Sequence, residues 1–68
     1  MTIGEAIKSV RQQKGITQKV IEQKTGIKKE YLSRIENNRL KNPTHATLCK
    51  IAKGINTELS ALFKMTEG

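Results

Sequence analysis

Between Lys28 and Arg34 the chain reads Lys-Lys-Glu-Tyr-Leu-Ser-Arg, a segment dense in hydrogen-bonding groups. Wound as a helix, it turns Leu32 to one side and leaves Lys29, Ser33 and Arg34, with Asn37 just beyond, on the other. A guanidinium offers a fork of parallel donors, an ammonium is a three-donor point charge, and a hydroxyl both donates and accepts. Such a face suits a surface studded with acceptors, such as the base edges in the major groove of a nucleic-acid duplex. There Arg34 matches guanine, Lys29 matches guanine or a phosphate, Ser33 matches either kind of group, and Glu30 either accepts from a cytosine amine or merely offsets local charge. The plainer alternative for Arg34 is an ion pair with Glu30, four residues earlier on the same helix.

Other chemistry finds little support. There are no paired carboxylates, no glycine-rich phosphate loop and no nucleophile beside a base, so the chain is expected not to be an enzyme. Cys49 is the sole cysteine, which rules out an intrachain disulfide and the usual zinc spacings; it reads as a packing residue, in keeping with a reducing, cytoplasmic setting. His45 is not expected to take a catalytic or metal-binding role. Neither cofactor nor metal is expected. The N-terminus lacks the pattern of a secretory signal, and the longest apolar run, Ala61-Leu62-Phe63, spans no membrane. Thirteen basic residues against six acidic ones give a formal charge of +7 in 68 residues, a density that points to a polyanionic partner. Tyr31 and Phe63 are too few aromatics for a single-strand stacking platform.

Helical periodicity recurs along the chain, and strand alternation does not persist. Thr2 and Glu5 have the spacing of a capping box; Ile3, Ala6, Ile7 and Val10 form the apolar stripe of a first helix over 3–14, closed by Gly15. Thr17 caps a second helix over 18–25, and Gly26 supplies a tight turn. The third, over 29–37, turns Leu32 and Ile35 inward and ends at Asn37-Asn38. Pro43-Thr44 starts a fourth over 45–53, with Leu48, Ile51, Ala52 and Ile55 apolar. A short fifth over 59–64 presents Leu59, Leu62 and Phe63, and the tail from Thr66 is expected to fray. The whole reads as one all-α domain of five helices in a compact bundle. Its second and third helices are too short to stand alone, so they must dock their apolar faces on the rest.

From about Arg11 to Phe63 the sequence resembles the phage repressor and Cro helix-turn-helix family, also called the xenobiotic-response-element type. The resemblance is carried by Thr17-Gln18, Gly26-Ile27, Tyr31-Leu32-Ser33-Arg34-Ile35-Glu36-Asn37, Pro43, Thr47-Leu48, Lys50-Ile51-Ala52-Lys53 and Leu62-Phe63, in that order and without gaps. It implies a lambda-repressor-like fold and binding of double-stranded DNA at a palindromic operator by a homodimer. Base contacts then fall to Lys29, Ser33, Arg34 and Glu30. Backbone contacts then fall to Gln18, Lys28, Arg39 and Lys41, with Gln18 also bracing a side chain of the third helix. On their own chemistry Asn37 is a further backbone candidate, and Tyr31 is either half-buried core or a phosphate contact through its hydroxyl. Arg11 and Glu36 match a structural ion pair. Leu59, Leu62, Phe63 and Met65 are the candidate dimer interface.

Three residues depart from the family pattern. Glu22 stands where alanine is usual, so it must swing outward or push the helices apart. Asn38 replaces a glycine. Lys28 replaces a serine or threonine cap, a loss of about 1 kcal/mol, and sets a positive charge at a positive helix end. The expected role is that of a transcriptional regulator, either a repressor or the controller of a restriction-modification locus. The competing reading is an antitoxin-like module that binds a protein through the apolar C-terminal face; RNA polymerase or a toxin would be the protein partner.

Overall fold

Thr2, Thr17 and Thr44 open three helices by the same chemistry. Each hydroxyl accepts from the backbone N–H three residues on, at 3.2 Å, from Glu5, Val20 and Thr47 respectively, satisfying one of the amides that a helix start leaves without an internal partner. At Thr2 the exchange is reciprocal: its own N–H donates to Glu5 Oε1 at 2.8 Å, completing a capping box and holding the Glu5 carboxyl below its usual range. The computed structural model describes residues 1–40 and 43–67. Its helices are α1 (Ile3–Gln13), α2 (Gln18–Thr25), α3 (Lys29–Glu36), α4 (His45–Gly54) and α5 (Leu59–Thr66). The fold is all-α, as expected.

The helix ends show what the periodicity alone does not. Lys14 is the C-cap of α1 rather than its last residue. Its ammonium crosses to the carbonyls of Ile55 and Asn56 at 2.8 and 2.7 Å, placing a cation on the exit of α4, where the helix dipole is negative. Asn38 takes the left-handed conformation at φ 60°, which ends α3 at Glu36 and makes Asn37 its C-cap. The helix α5 runs on through Thr66, whose hydroxyl donates to the Phe63 carbonyl at 2.6 Å, so the tail is helical further than expected.

The core gathers Ala6 and Ile7 of α1, Ile21 of α2, Leu32 and Ile35 of α3, Leu48, Ile51 and Ala52 of α4, Ile55, and Leu62 of α5. The helix α1 lies against α3 and α5, α2 lies against α3 and α4, and α4 contacts α5. Leu62 therefore needs correction as an interface residue. It is fully buried in its own chain because α5 docks on α1 with that side inward, and it offers no surface to a second copy. One residue on, about 100° around the helix, Phe63 faces out and is 42% exposed. Leu59 and Met65 are partly buried at the edge of the core. No helix among the described residues is long and apolar enough to cross a membrane.

Gly4 controls the approach of α1 to α3. A Cβ there would stand 2.0 Å from the Ile35 carbonyl oxygen, a backbone atom that cannot rotate aside. Nearby, the Thr2 hydroxyl donates to Asn38 Oδ1 at 2.8 Å, so the start of α1 is tied to the exit of α3. In a free helix Gly→Ala stabilises by about 0.5–1 kcal/mol. Here Gly4→Ala is expected to reverse that sign and cost about 1–3 kcal/mol through overpacking, lowering the thermal midpoint by at least about 4 °C. A raised midpoint in a calorimetric or circular-dichroism melt would disprove the close approach.

Candidate nucleic-acid interface

The turn between α2 and α3 is made by Gly26, left-handed at φ 79°, whose N–H returns to the Glu22 carbonyl at 2.8 Å. Thr25 helps: its hydroxyl donates to the Ile21 carbonyl at 2.7 Å and accepts from the Ile27 N–H at 3.2 Å. With Leu32, Ile35 and Glu36 buried, α3 has only its other side to present. On that side Gln18, Lys29, Glu30, Ser33, Arg34 and Arg39 line one open concavity. It thus unites all four residues expected to read bases with two of those expected to hold the backbone. Lys28 is exposed at the start of α3 and Asn37 at its end, while Tyr31 is half-buried at the core edge. Lys41 lies outside the described residues.

Behind this face sits a buried charge. The Glu36 side chain is 2% exposed and Arg11 is 11% exposed. Arg11 grips the carboxylate with two bonds, Nε to Oε2 at 2.7 Å and Nη2 to Oε1 at 3.0 Å, and sends Nη1 to the Ile16 carbonyl at 3.0 Å. Gln18 Nε2 donates to the same carboxylate at 3.1 Å. The brace that Gln18 provides to α3 is therefore directed at Glu36, at the far end of the helix from Lys29.

The outer side chains are also prepared for their chemistry. Asn37 Nδ2 donates to the Ser33 carbonyl at 2.9 Å and to Ser33 Oγ at 3.2 Å. This leaves the Ser33 hydroxyl its proton and one lone pair with which to meet a partner. Arg11–Glu36 is the only ion pair among the described residues, so Arg34 is not tied to Glu30 and its fork stays available. Glu22 swings outward, one of the two outcomes expected of it: Oε1 accepts from the Lys29 N–H at 2.9 Å. Lys28, the formal N-cap, makes no side-chain bond to the helix. The sequence signal for this was the missing capping oxygen at position 28; nothing in the sequence pointed to residue 22 as its source. The only thiol among the described residues, Cys49, lies 3.3 Å from His45 Nε2 on α4, which corrects the expectation that no nucleophile stands beside a base; neither residue lines the concavity.

The helix-turn-helix family model matches residues 7–62. The chain belongs to the helix-turn-helix family. Among relatives of this helix-turn-helix chain, the immunity repressor protein of Bacillus phage phi105 is 34% identical over 62 residues, 91% of this chain and 42% of the phage protein. The HTH-type transcriptional regulator y4dJ of Sinorhizobium fredii is 32% identical over 65 residues, 96% of this chain and 83% of the relative. The crystal structure of SinR, the master regulator for biofilm formation, in complex with DNA superposes with a TM-score of 0.82 at 34% identity, covering 91% of this chain and 98% of that one. The chain spans less than half of the phage repressor's length but most of y4dJ.

Because the helix-turn-helix unit is bolted to α1 through Glu36, breaking the pair on one side is expected to be worse than removing it. Arg11→Met strands a buried carboxylate at a cost of about 3–5 kcal/mol, comparable to the whole stability of a small domain, and should leave the chain largely unfolded at 25 °C. Arg11→Met with Glu36→Leu should recover most of the helical signal in a denaturant titration. Equal losses in the single and double variants would disprove this account.

Proposed function

We propose that this chain is a sequence-specific, duplex-DNA-binding transcriptional regulator that acts as a homodimer. The observation that carries the proposal is the open concavity on the outer side of α3, which Gln18, Lys29, Glu30, Ser33, Arg34 and Arg39 line together. Its support from relatives is the shared fold with SinR, whose crystal structure is a complex with DNA.

In this mechanism Lys28, Arg39 and Lys41 neutralise phosphates and release counterions, and Gln18, Asn37 and Tyr31 add polar backbone contacts. This fixes α3 in the major groove. Arg34 and Lys29 then donate to guanine edges, Ser33 donates to a base acceptor, and Glu30 accepts from a cytosine amine. The surplus of basic charge speeds the encounter with any DNA, and the α3 side chains choose among sequences. The dimer reading rests on Phe63, exposed on α5, and on Leu59 and Met65, which are partly buried at the core edge of the same helix. An isologous contact there gives a palindromic operator with half-sites about 34 Å apart. Repression by occupancy, as in a phage-type repressor or a restriction-modification controller, needs no catalytic group. The regulator would work in the cytoplasm, at the nucleoid.

Selection from a random duplex pool should return a palindrome. On that duplex Arg34→Ala is expected to relax preference at one base-pair position, a change of about 1–3 kcal/mol. Arg39→Ala should weaken binding evenly on all sequences and lower the salt slope by about one. Binding that never distinguishes the selected duplex from a scrambled one would refute specific regulation. The dimer is tested by Phe63→Lys, which should shift sedimentation equilibrium to the monomer and weaken full-site binding by about tenfold or more, the equivalent of a lost 1.4 kcal/mol contact. A monomeric wild-type chain that instead purifies with a stoichiometric second protein would favour the antitoxin-like reading.

A further inference from the structure

We infer that Glu22, on α2, is a positioning residue that fixes the first turn of α3 and so sets how sharply the protein discriminates between DNA sequences. The inference rests on the DNA-binding function proposed above.

The argument starts from the amides at the start of α3. The first internal bond of that helix is made by the Leu32 N–H to the Lys28 carbonyl at 3.0 Å, so the N–H groups of Lys29, Glu30 and Tyr31 have no partner within the helix. A cap at position 28 would ordinarily help, but lysine has no acceptor, and the structure shows no side-chain bond from it. Glu22 supplies the acceptor from seven residues away, Oε1 to the Lys29 N–H at 2.9 Å. The same residue closes α2, since its carbonyl accepts from the Gly26 N–H at 2.8 Å. One residue therefore fastens both sides of the turn, its backbone ending one helix and its carboxylate starting the next. A carboxylate at this place is favoured by the helix dipole and makes a charge-assisted bond.

The consequence for reading is geometric. The helix α3 has eight residues, so its first turn is a large part of it, and a short helix frays readily. Lys29 is both the residue whose amide Glu22 holds and one of those lining the concavity, a turn before Ser33. Freeing that amide lets Lys29 and Glu30 shift relative to Ser33 and Arg34. A loosened reader keeps its charge, and so its affinity for any phosphate backbone, but loses the fixed spacing that separates one sequence from another. The negative charge itself acts in the opposite sense: near DNA it opposes binding to every sequence alike.

These two effects separate in two variants. Glu22→Gln keeps an acceptor oxygen and removes the charge; Glu22→Ala removes both. The probes are the duplex that the wild-type chain selects from a random pool and a scrambled duplex of the same composition, at one salt concentration. The ratio of the two affinities should fall by about 5-fold for Glu22→Ala, the factor corresponding to a lost cap. For Glu22→Gln it should stay within about twofold of wild type, with binding to both duplexes strengthened. In the free protein, amide exchange at Lys29 should rise about 5-fold in Glu22→Ala while the core amides of Ile7 and Ile51 hold their protection. Adding Lys28→Ser, which supplies a local cap, should restore both the Lys29 protection and the ratio. The inference is overturned if Lys29 exchange does not change, if it rises only together with Ile7 and Ile51, or if it rises alone with the ratio unaltered. Should the wild-type chain itself fail to distinguish the duplexes, the DNA-reading function falls and the discrimination role of Glu22 with it; the Lys29 exchange, measured without DNA, still shows whether the cap exists.

Discussion

The paired charge of Arg11 and Glu36 is the constraint on which the rest of the molecule depends. It joins α1 to α3, receives Gln18 from α2, and through Arg11 also holds the Ile16 carbonyl in the connection between α1 and α2. A chain of this size has a thin core and little stability to spare. A buried ion pair is a poor source of net stability compared with a well-packed apolar substitute, but it is demanding about geometry. Its value here is orientation: three segments must meet at one carboxylate, and only one arrangement of them satisfies every donor.

That arrangement leaves α3 held on three sides. Leu32 and Ile35 anchor its inner side in the core. Its end is fixed by Asn38, which accepts from Thr2, and by the contact of Gly4 with the Ile35 carbonyl. Its start is fixed by Glu22. The outer side is the one left unclaimed, and there the unpaired Arg34 and the Ser33 hydroxyl project from a fixed backbone. Preorganisation of this kind means that little ordering entropy is lost when a rigid partner is met. The turn residues, the buried pair and the distant caps contribute to recognition without touching the ligand.

Much of this was legible from sequence, and the exceptions share a cause. Threonine caps, glycine exits and apolar stripes are local, so Thr2, Thr17, Thr44 and Gly26 announced their roles within a few residues. The Arg11–Glu36 pair was legible only through the family resemblance. Features that depend on a backbone partner from elsewhere in the fold were silent. Lys14 reaches carbonyls more than forty residues away, and a carbonyl carries no side-chain identity to match. Glu22 likewise finds an amide, not a side chain. Gly4 looks like an indifferent residue in the first turn until the Ile35 carbonyl is seen above it. Leu62 and Phe63 are adjacent apolar residues, and which one faces the core depends on the docking angle of α5. The polar outer face of α3 was legible in Lys29, Ser33 and Arg34, while the direction of the Gln18 amide, toward Glu36, depends on how α2 packs against α3.

The charge balance connects these local devices to the polyanion they serve. A formal +7 over so small a surface repels itself in the free chain, and Lys28 at the positive end of α3 adds to the strain. A polyanion that binds only the folded state relieves the repulsion and stabilises the fold by mass action, so basic surface that weakens the free domain strengthens the bound one. Glu22 works at the junction of these demands. Its carboxylate holds the helix start by accepting from the Lys29 N–H, with or without DNA. A capping serine at position 28 would have held the helix start without a negative charge near the phosphates. The Glu22 and Lys28 combination instead exchanges some general affinity for a bond that links α2 to α3, which is a bond that a local cap cannot make.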